Sequence, residues 1–369
     1  MTSGPDTGAA GSPAPVVPGR PGAVARWRRP VSIGLLAVGT LVCVVVFWQS
    51  VVGWFATLAG VEWRWALLAV AVQLVSMQAL VAQQRLLLRA GGGFGPHGSL
   101  TVTVYGGNAI AVGLPLAGSA ASVAYSFRRL RDLGNSTALV SWTLAVSGVC
   151  STVSLAAVVA ISSAATGSTV GAAIASLASV AVVVPVLVLL AVTRSTEAKH
   201  LVVRLVQHLL KPFARWWRAL RPSVVGPAVD DVLTSLGSIR IGAAKATGAA
   251  AYALANWVLD ALCLGLAVLA VGASLPWPGV VLAWAAGALV SSTRLTPGGI
   301  GVVEAALASA LVAAGLPASQ AVPAVVVYRF VSLWLLAAIG ALCLVLAPRP
   351  VHPPELDAPQ PDPQRRPGS

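Results

Sequence analysis

Charge is scarce in this chain. Charged residues occupy 9% of its 369 positions, against roughly 25% in soluble globular domains. That shortage excludes a protein that folds behind a hydrated polar shell. Lysine is scarcer still: Lys199, Lys211 and Lys245 are the only ones, and every other basic residue is arginine. Cysteine occurs four times, at Cys43, Cys150, Cys263 and Cys343, each within an apolar run and never in CxxC spacing. A disulfide framework and a thiolate metal site are therefore not expected. The four histidines, His97, His200, His208 and His352, lie outside the apolar runs, and no HExxH or carboxylate cluster accompanies them. Neither a metal nor another cofactor is expected.

Apolar side chains are abundant: hydrophobic residues make up 57% of the chain. Several runs reach the ~20 residues that a helix needs to cross a bilayer. The fold class that follows is all-α, a polytopic membrane protein. Full spans are expected near Val31 to Gln49, Trp65 to Val81, Thr137 to Ala160, Val170 to Val192, Gly248 to Val271 and Ala321 to Leu346. Trp48, Trp54, Trp63 and Trp65 surround the first connection, as an interfacial aromatic belt would.

Two segments fit simple spanning badly. Leu100 to Leu116 carries Gly106, Gly107 and Asn108 at its middle and Pro115 near its end. Val280 to Ser292 and Ile300 to Ala314 are split by Pro297-Gly298-Gly299, and each piece is shorter than the ~17 residues of a minimal span. Both segments are read as re-entrant or discontinuous helices.

The net charge of +13 does not point to nucleic acid, because the basic residues sit between the apolar runs. Twenty-one of the 24 fall in one alternating set of segments, the opposite set holds only Arg64, and Arg294 and Arg329 lie within the membrane region. The positive-inside rule then places both termini in the cytoplasm. Residues 1–30 and 348–369 are rich in Pro, Gly and Ala and are expected to be disordered tails flanking a membrane domain over 31–347. Between Lys199 and Arg221, polar residues recur at steps of three or four opposite Leu201, Leu205, Leu209, Phe213 and Trp216. That spacing predicts an amphipathic helix in the cytoplasmic interface.

Four charges stand in apolar context: Asp260, Arg294, Glu304 and Arg329. Intramembrane charges are costly, by at least ~2.5 kcal/mol each on insertion scales, and are functional candidates for that reason. Two acids and two bases also point to mutual pairing. The stretch Arg294 to Glu304, RLTPGGIGVVE, is the most informative. A helix restarting after Gly298-Gly299 would aim free N–H groups and a positive dipole end into the membrane, with Arg294 beside them. That is a site for an anion such as a phosphate-bearing headgroup. Glu304, in the first turns of the same helix, either stabilises the dipole or binds an ammonium group or a proton.

TPGGIGVVEAAL followed by LVAAGLPASQAVPAVVVYRFVSLWLLAAIG closely resembles the membrane domain of the lysylphosphatidylglycerol synthetase, or flippase-like, family. The family's Pro-Gly-Gly-x-Gly-x-x-Glu motif and the later Tyr-Arg pair and tryptophan fall here on Pro297, Gly298, Gly299, Gly301, Glu304, Tyr328, Arg329 and Trp334. NWVLDALCLGLAVLAVG, with Asn256, Trp257 and Asp260, resembles the helix before that motif. The first-half motif is weaker and rests on Asn108, Pro115 and Gly118. Where many members carry an acidic residue and then an arginine, this chain has Ser119 and Ser122. The bifunctional members append a soluble aminoacyl-transfer domain, for which Ala347 to Ser369 is far too short.

The resemblance implies a stand-alone, non-enzymatic member in a bacterial plasma membrane that binds and flips a phospholipid or a polyprenyl-phosphate-linked lipid. Its partners would be membrane lipids with anionic headgroups and not nucleic acid. The alternative is a membrane-embedded partner or regulator of a glycosyltransferase or another envelope-assembly enzyme, with the charges serving only structure. A lipid transferase is less well supported, since no His-Asp, Ser-x-x-Lys or paired-carboxylate arrangement appears in the membrane region.

Overall fold

The computed structural model describes residues 60–114, 117–166, 241–274, 277–292 and 296–346, with single positions between 195 and 208. The tails, the spans expected at 31–49 and 170–192, the interfacial helix near 199–221, Pro115 and Arg294 lie outside the described residues, apart from those single positions. Among the described residues every regular element is helical. They are α1 (Trp63–Ala90), α2 (His97–Gly113), α3 (Gly118–Asp132), α4 (Thr137–Thr166), α5 (Ala243–Ala270), α6 (Trp277–Ser292), α7 (Val302–Ala313), α8 (Ala318–Arg329) and α9 (Leu336–Leu346). A 3₁₀ turn at Pro297–Gly299 separates α6 from α7, and a π-helical turn at Phe330–Leu335 joins α8 to α9. Four crossings are long and apolar enough for a membrane: α1, α4, α5 and the continuous Ala318–Leu346.

Length sorts these helices into a repeating order. A 28-residue helix, a pair of 17 and 15, and one of 30 residues are followed by one of 28, a pair of 16 and 12, and a 29-residue crossing. The two sets run in opposite directions. Glu62 N–H donates to Ala270 O at 2.8 Å, Asn256 Nδ2 to Ser76 O at 3.0 Å, and Gln83 Nε2 to Ala249 O at 3.1 Å. Residue numbers rise along α1 as they fall along α5, so the pair is antiparallel. These side-chain amides lie in an apolar core, where an unmade hydrogen bond costs about 1–3 kcal/mol. Paired, they fix the sliding register of the two helices.

Each short pair is a hairpin that returns to the side it left. Asn135, just after α3, accepts from Phe94 N–H at 2.9 Å and donates to Phe94 O at 2.8 Å, so the entry to α2 and the exit of α3 lie together. A third bond from Asn135 to Leu130 O, at 2.9 Å, satisfies the carbonyl end of α3. In the second hairpin the bare backbone of Gly287 lies against Leu307, and Gly265 of α5 admits the Trp277 ring at the start of α6. The described basic residues follow this layout. Arg85, Arg89, Arg128, Arg129, Arg131 and Lys245 gather at one end, and Arg64, paired with Glu62 at 2.6 Å, stands at the other. One hairpin therefore enters from the basic end and the other from the opposite end. Their tips meet: a Cβ on Gly298 would stand 3.2 Å from Val112 Cγ1, in the last turn of α2.

The break expected at Pro297 is present, whereas the first segment runs as an unbroken helix through Gly106, Gly107 and Asn108 and ends at Gly113. Large apolar side chains such as Leu67, Val75, Val258, Leu342 and Val345 remain exposed along the crossings. That is the surface a bilayer would cover.

Candidate functional site

The sequence Thr296-Pro-Gly-Gly-Ile-Gly301 breaks the second hairpin because three of its glycines take left-handed backbone. Gly298, Gly299 and Gly301 have φ of 60°, 72° and 87°, a region closed to most L side chains. Space is also short: a Cβ on Gly299 would collide with Val303 Cγ2, and one on Gly298 would meet Leu333 Cδ1 at 3.0 Å. An irregular turn at this depth needs partners for its polar backbone. Gly299 N–H donates to Thr296 O at 3.0 Å, and Thr296 Oγ1 donates to Ile300 O at 2.9 Å.

Arg329 supplies the rest. Its side chain is 8% exposed. Nη2 donates to Gly298 O, and Nε donates to Glu304 Oε1 at 2.6 Å. The other carboxylate oxygen, Glu304 Oε2, accepts from Gly301 N–H at 2.6 Å. Glu304 thus occupies the third position of α7 and reaches back to the residue that caps it, the half of a capping box that glycine permits. One guanidinium grips the carbonyl before the restart and the carboxylate after it. The positive end of α7 holds an anion, and that anion is the protein's own Glu304.

The pairing expected among the four charges is realised for Glu304 with Arg329. Asp260 behaves differently. Its Oδ2 accepts from Trp284 Nε1 at 2.8 Å and from Tyr328 OH at 3.1 Å, both neutral donors. No cation lies within ion-pair distance of Asp260 among the described residues. Tyr328, read from its motif as part of the headgroup site, is directed to Asp260 instead. Trp257 stacks edge-on against Trp284, with ring centres 5.8 Å apart, and donates to Ser151 O at 2.8 Å. Asn256 clamps α5 to α1 through Ser76. Gly118 lies against the carbonyl of Ala111 and closes the first hairpin. Asn108 has a buried Nδ2 without a hydrogen-bond partner. Trp334 sits half-buried in the π-helical turn that continues the helix after Arg329.

Three contributors escape sequence reasoning. Trp284 and Gln73 sit on apolar helices with no motif around them, and Thr296 is an ordinary polar residue before a proline. Only the Gln73 side chain, polar within an apolar run, offered a signal.

These features define a class: a multi-pass helical membrane protein built around a charged break in a re-entrant hairpin. The chain belongs to the lysylphosphatidylglycerol synthase TM region family, whose model matches residues 31–340. It is also 30% identical over 109 residues to a UPF0104 membrane protein of Methanothermobacter thermautotrophicus. That matched stretch spans 30% of either chain. The resemblance carried by the Pro297 to Glu304 motif is thereby established.

Proposed function

We propose that this chain binds a phosphate-bearing membrane lipid at the Pro297–Glu304 break and moves it between leaflets, without chemical transformation. The observation that carries this reading is the carboxylate of Glu304, held between the Gly301 N–H and the Arg329 guanidinium inside the membrane. Backbone N–H, helix dipole and guanidinium are the groups that bind phosphate elsewhere. A headgroup phosphate competing for Arg329 would release Glu304 to take a proton or an ammonium group. Two oppositely oriented hairpins meeting tip to tip match the inverted repeats and broken helices around which secondary transporters alternate access. Arg294 is assigned to the headgroup because it stands two residues before Thr296 in sequence.

Location and topology follow from the same reading: a bacterial plasma membrane, with both termini and the basic end cytoplasmic. The closed Glu304–Arg329 pair also favours a second reading, a partner or regulator of an envelope-assembly enzyme in which these charges only hold the fold. Reconstituted vesicles separate the two. Purified protein in vesicles carrying labelled phosphatidylglycerol, phosphatidylcholine or a polyprenyl phosphate should accelerate exchange of at least one lipid between leaflets. Arg294→Gln should abolish that movement while staying monodisperse. Wild-type protein that moves none of the three leaves the partner reading standing.

A further inference from the structure

Asp260 is a half-buried acid in an apolar helix that the headgroup site does not use. A charged partner is the usual way to lower the cost of an ionised carboxylate within a membrane. Among the described residues the cation that faces it, Arg329, is committed to Glu304 and Gly298 O. Asp260 is met by Trp284 from α6 and Tyr328 from α8, both donating to Oδ2. Gln73 approaches the same carboxyl from α1 through its side-chain amide. Among the described residues, Cys263 on α5 and Arg329 on α8 complete the titratable and charged groups that face it. A carboxyl ringed by N–H and O–H donors is a poor site for a metal cation, which needs several oxygen ligands.

Gln73 is the discriminating neighbour. It is 4% exposed, and its Oε1 has no hydrogen-bond donor. A side-chain amide presents donors on one edge and an acceptor on the other, and rotation exchanges them. Toward an ionised Asp260, Gln73 offers its NH₂. Toward a protonated one it can offer Oε1, and that rotation breaks no bond to Oε1. Trp284 and Tyr328 donate to Oδ2 in either state, so the surroundings satisfy both forms of the acid.

We propose that Asp260 binds and releases a proton during the working cycle and couples lipid movement to a proton gradient. The proton comes from water and forms an O–H bond on Oδ1, which then donates to Gln73 Oε1. Release returns the proton to water and restores the carboxylate. The link to the lipid site is short: Trp284 belongs to the first arm of the broken hairpin, and Tyr328 immediately precedes Arg329. The coupling rests on the transport reading above; the proton site does not.

Infrared difference spectroscopy on the full-length protein, titrated with acid and base, tests the site without any lipid assay. The carbonyl stretch of a protonated carboxylic acid should appear and disappear with pH in wild-type protein. It should be absent in Asp260→Asn, whose amide keeps the shape of the protonated acid, and shifted in Asp260→Glu. A band that survives in Asp260→Asn overturns the site, as does one that never titrates. Vesicles with an imposed pH gradient then test coupling. Wild-type lipid movement should follow the gradient, and Asp260→Asn should lose that dependence while still binding lipid. Wild-type movement indifferent to the gradient overturns coupling. A titrating band in protein that moves no lipid leaves the proton site standing and removes the transport reading.

Discussion

Arg329 holds two partners, the Gly298 carbonyl within the helix break and the Glu304 carboxylate in the helix that follows it. Removing either charged partner leaves the other buried and unpaired, which costs about 3–5 kcal/mol. Arg329→Gln and Glu304→Gln should therefore each lower thermal stability strongly. The Arg329→Gln, Glu304→Gln double variant should recover much of the Glu304 share, because no lone charge remains. Gly298 O still loses its donor there, so recovery stays incomplete. A double-mutant cycle read by fluorescence-detected size exclusion measures this. Additive losses would show that the two side chains do not interact. The glycines of the same turn were readable in advance, since a Pro-Gly-Gly-x-Gly run inside an apolar region has few other uses. That Arg329, 25 residues beyond Glu304, supplies the counter-charge was not readable, because Arg294 stood closer in sequence.

Among the elements, close helix approach depends on glycines at a few crossings. A Cβ on Gly340 of α9 would run into the carbonyl oxygen of Tyr105 and lie 2.8 Å from Ala109 Cβ on α2. Backbone cannot move aside as a flexible side chain can. Gly340→Val should therefore separate α9 from α2 and cost roughly 1–3 kcal/mol, the range for overpacked cores. Gly148→Ala is the matched control, since a Cβ there meets nothing within 4 Å. Equal thermal midpoints for the two variants would contradict this packing. The short pieces on either side of Pro297–Gly299 marked α6 and α7 as a broken pair, because helices of 16 and 12 residues are too short for hydrocarbon, whereas α3 was not foreseen. Which end each hairpin enters from was written only in the charges: Arg128, Arg129 and Arg131 close the first, and no basic residue flanks the outer end of the second.

For the molecule as a whole, the two described sets of helices run in opposite senses, so corresponding hairpins face opposite ends of the crossings. Asp132 at the end of α3 and Ser319 at the start of α8 are both exposed and lie at opposite ends. With the four native cysteines removed, Ser319→Cys should react with an impermeant thiol reagent on intact cells, and Asp132→Cys only after lysis. Labelling of both from outside would reverse the charge-based topology.

Composition and pattern by themselves determined the membrane class, the apolar crossings, the helix break at Pro297, the charge asymmetry and the family. Each of these is a local property, set by how many consecutive residues hydrocarbon tolerates and where backbone must bend. The tertiary structure decided the pairings. Asn256 finds Ser76 at a separation of 180 residues, and Tyr328 finds Asp260 at a separation of 68. It also brought Val112 against Gly298 and turned two hairpins into an inverted pair. Composition cannot rank such contacts, because four intramembrane charges allow several pairings of similar energy. The geometry of packed helices selects one.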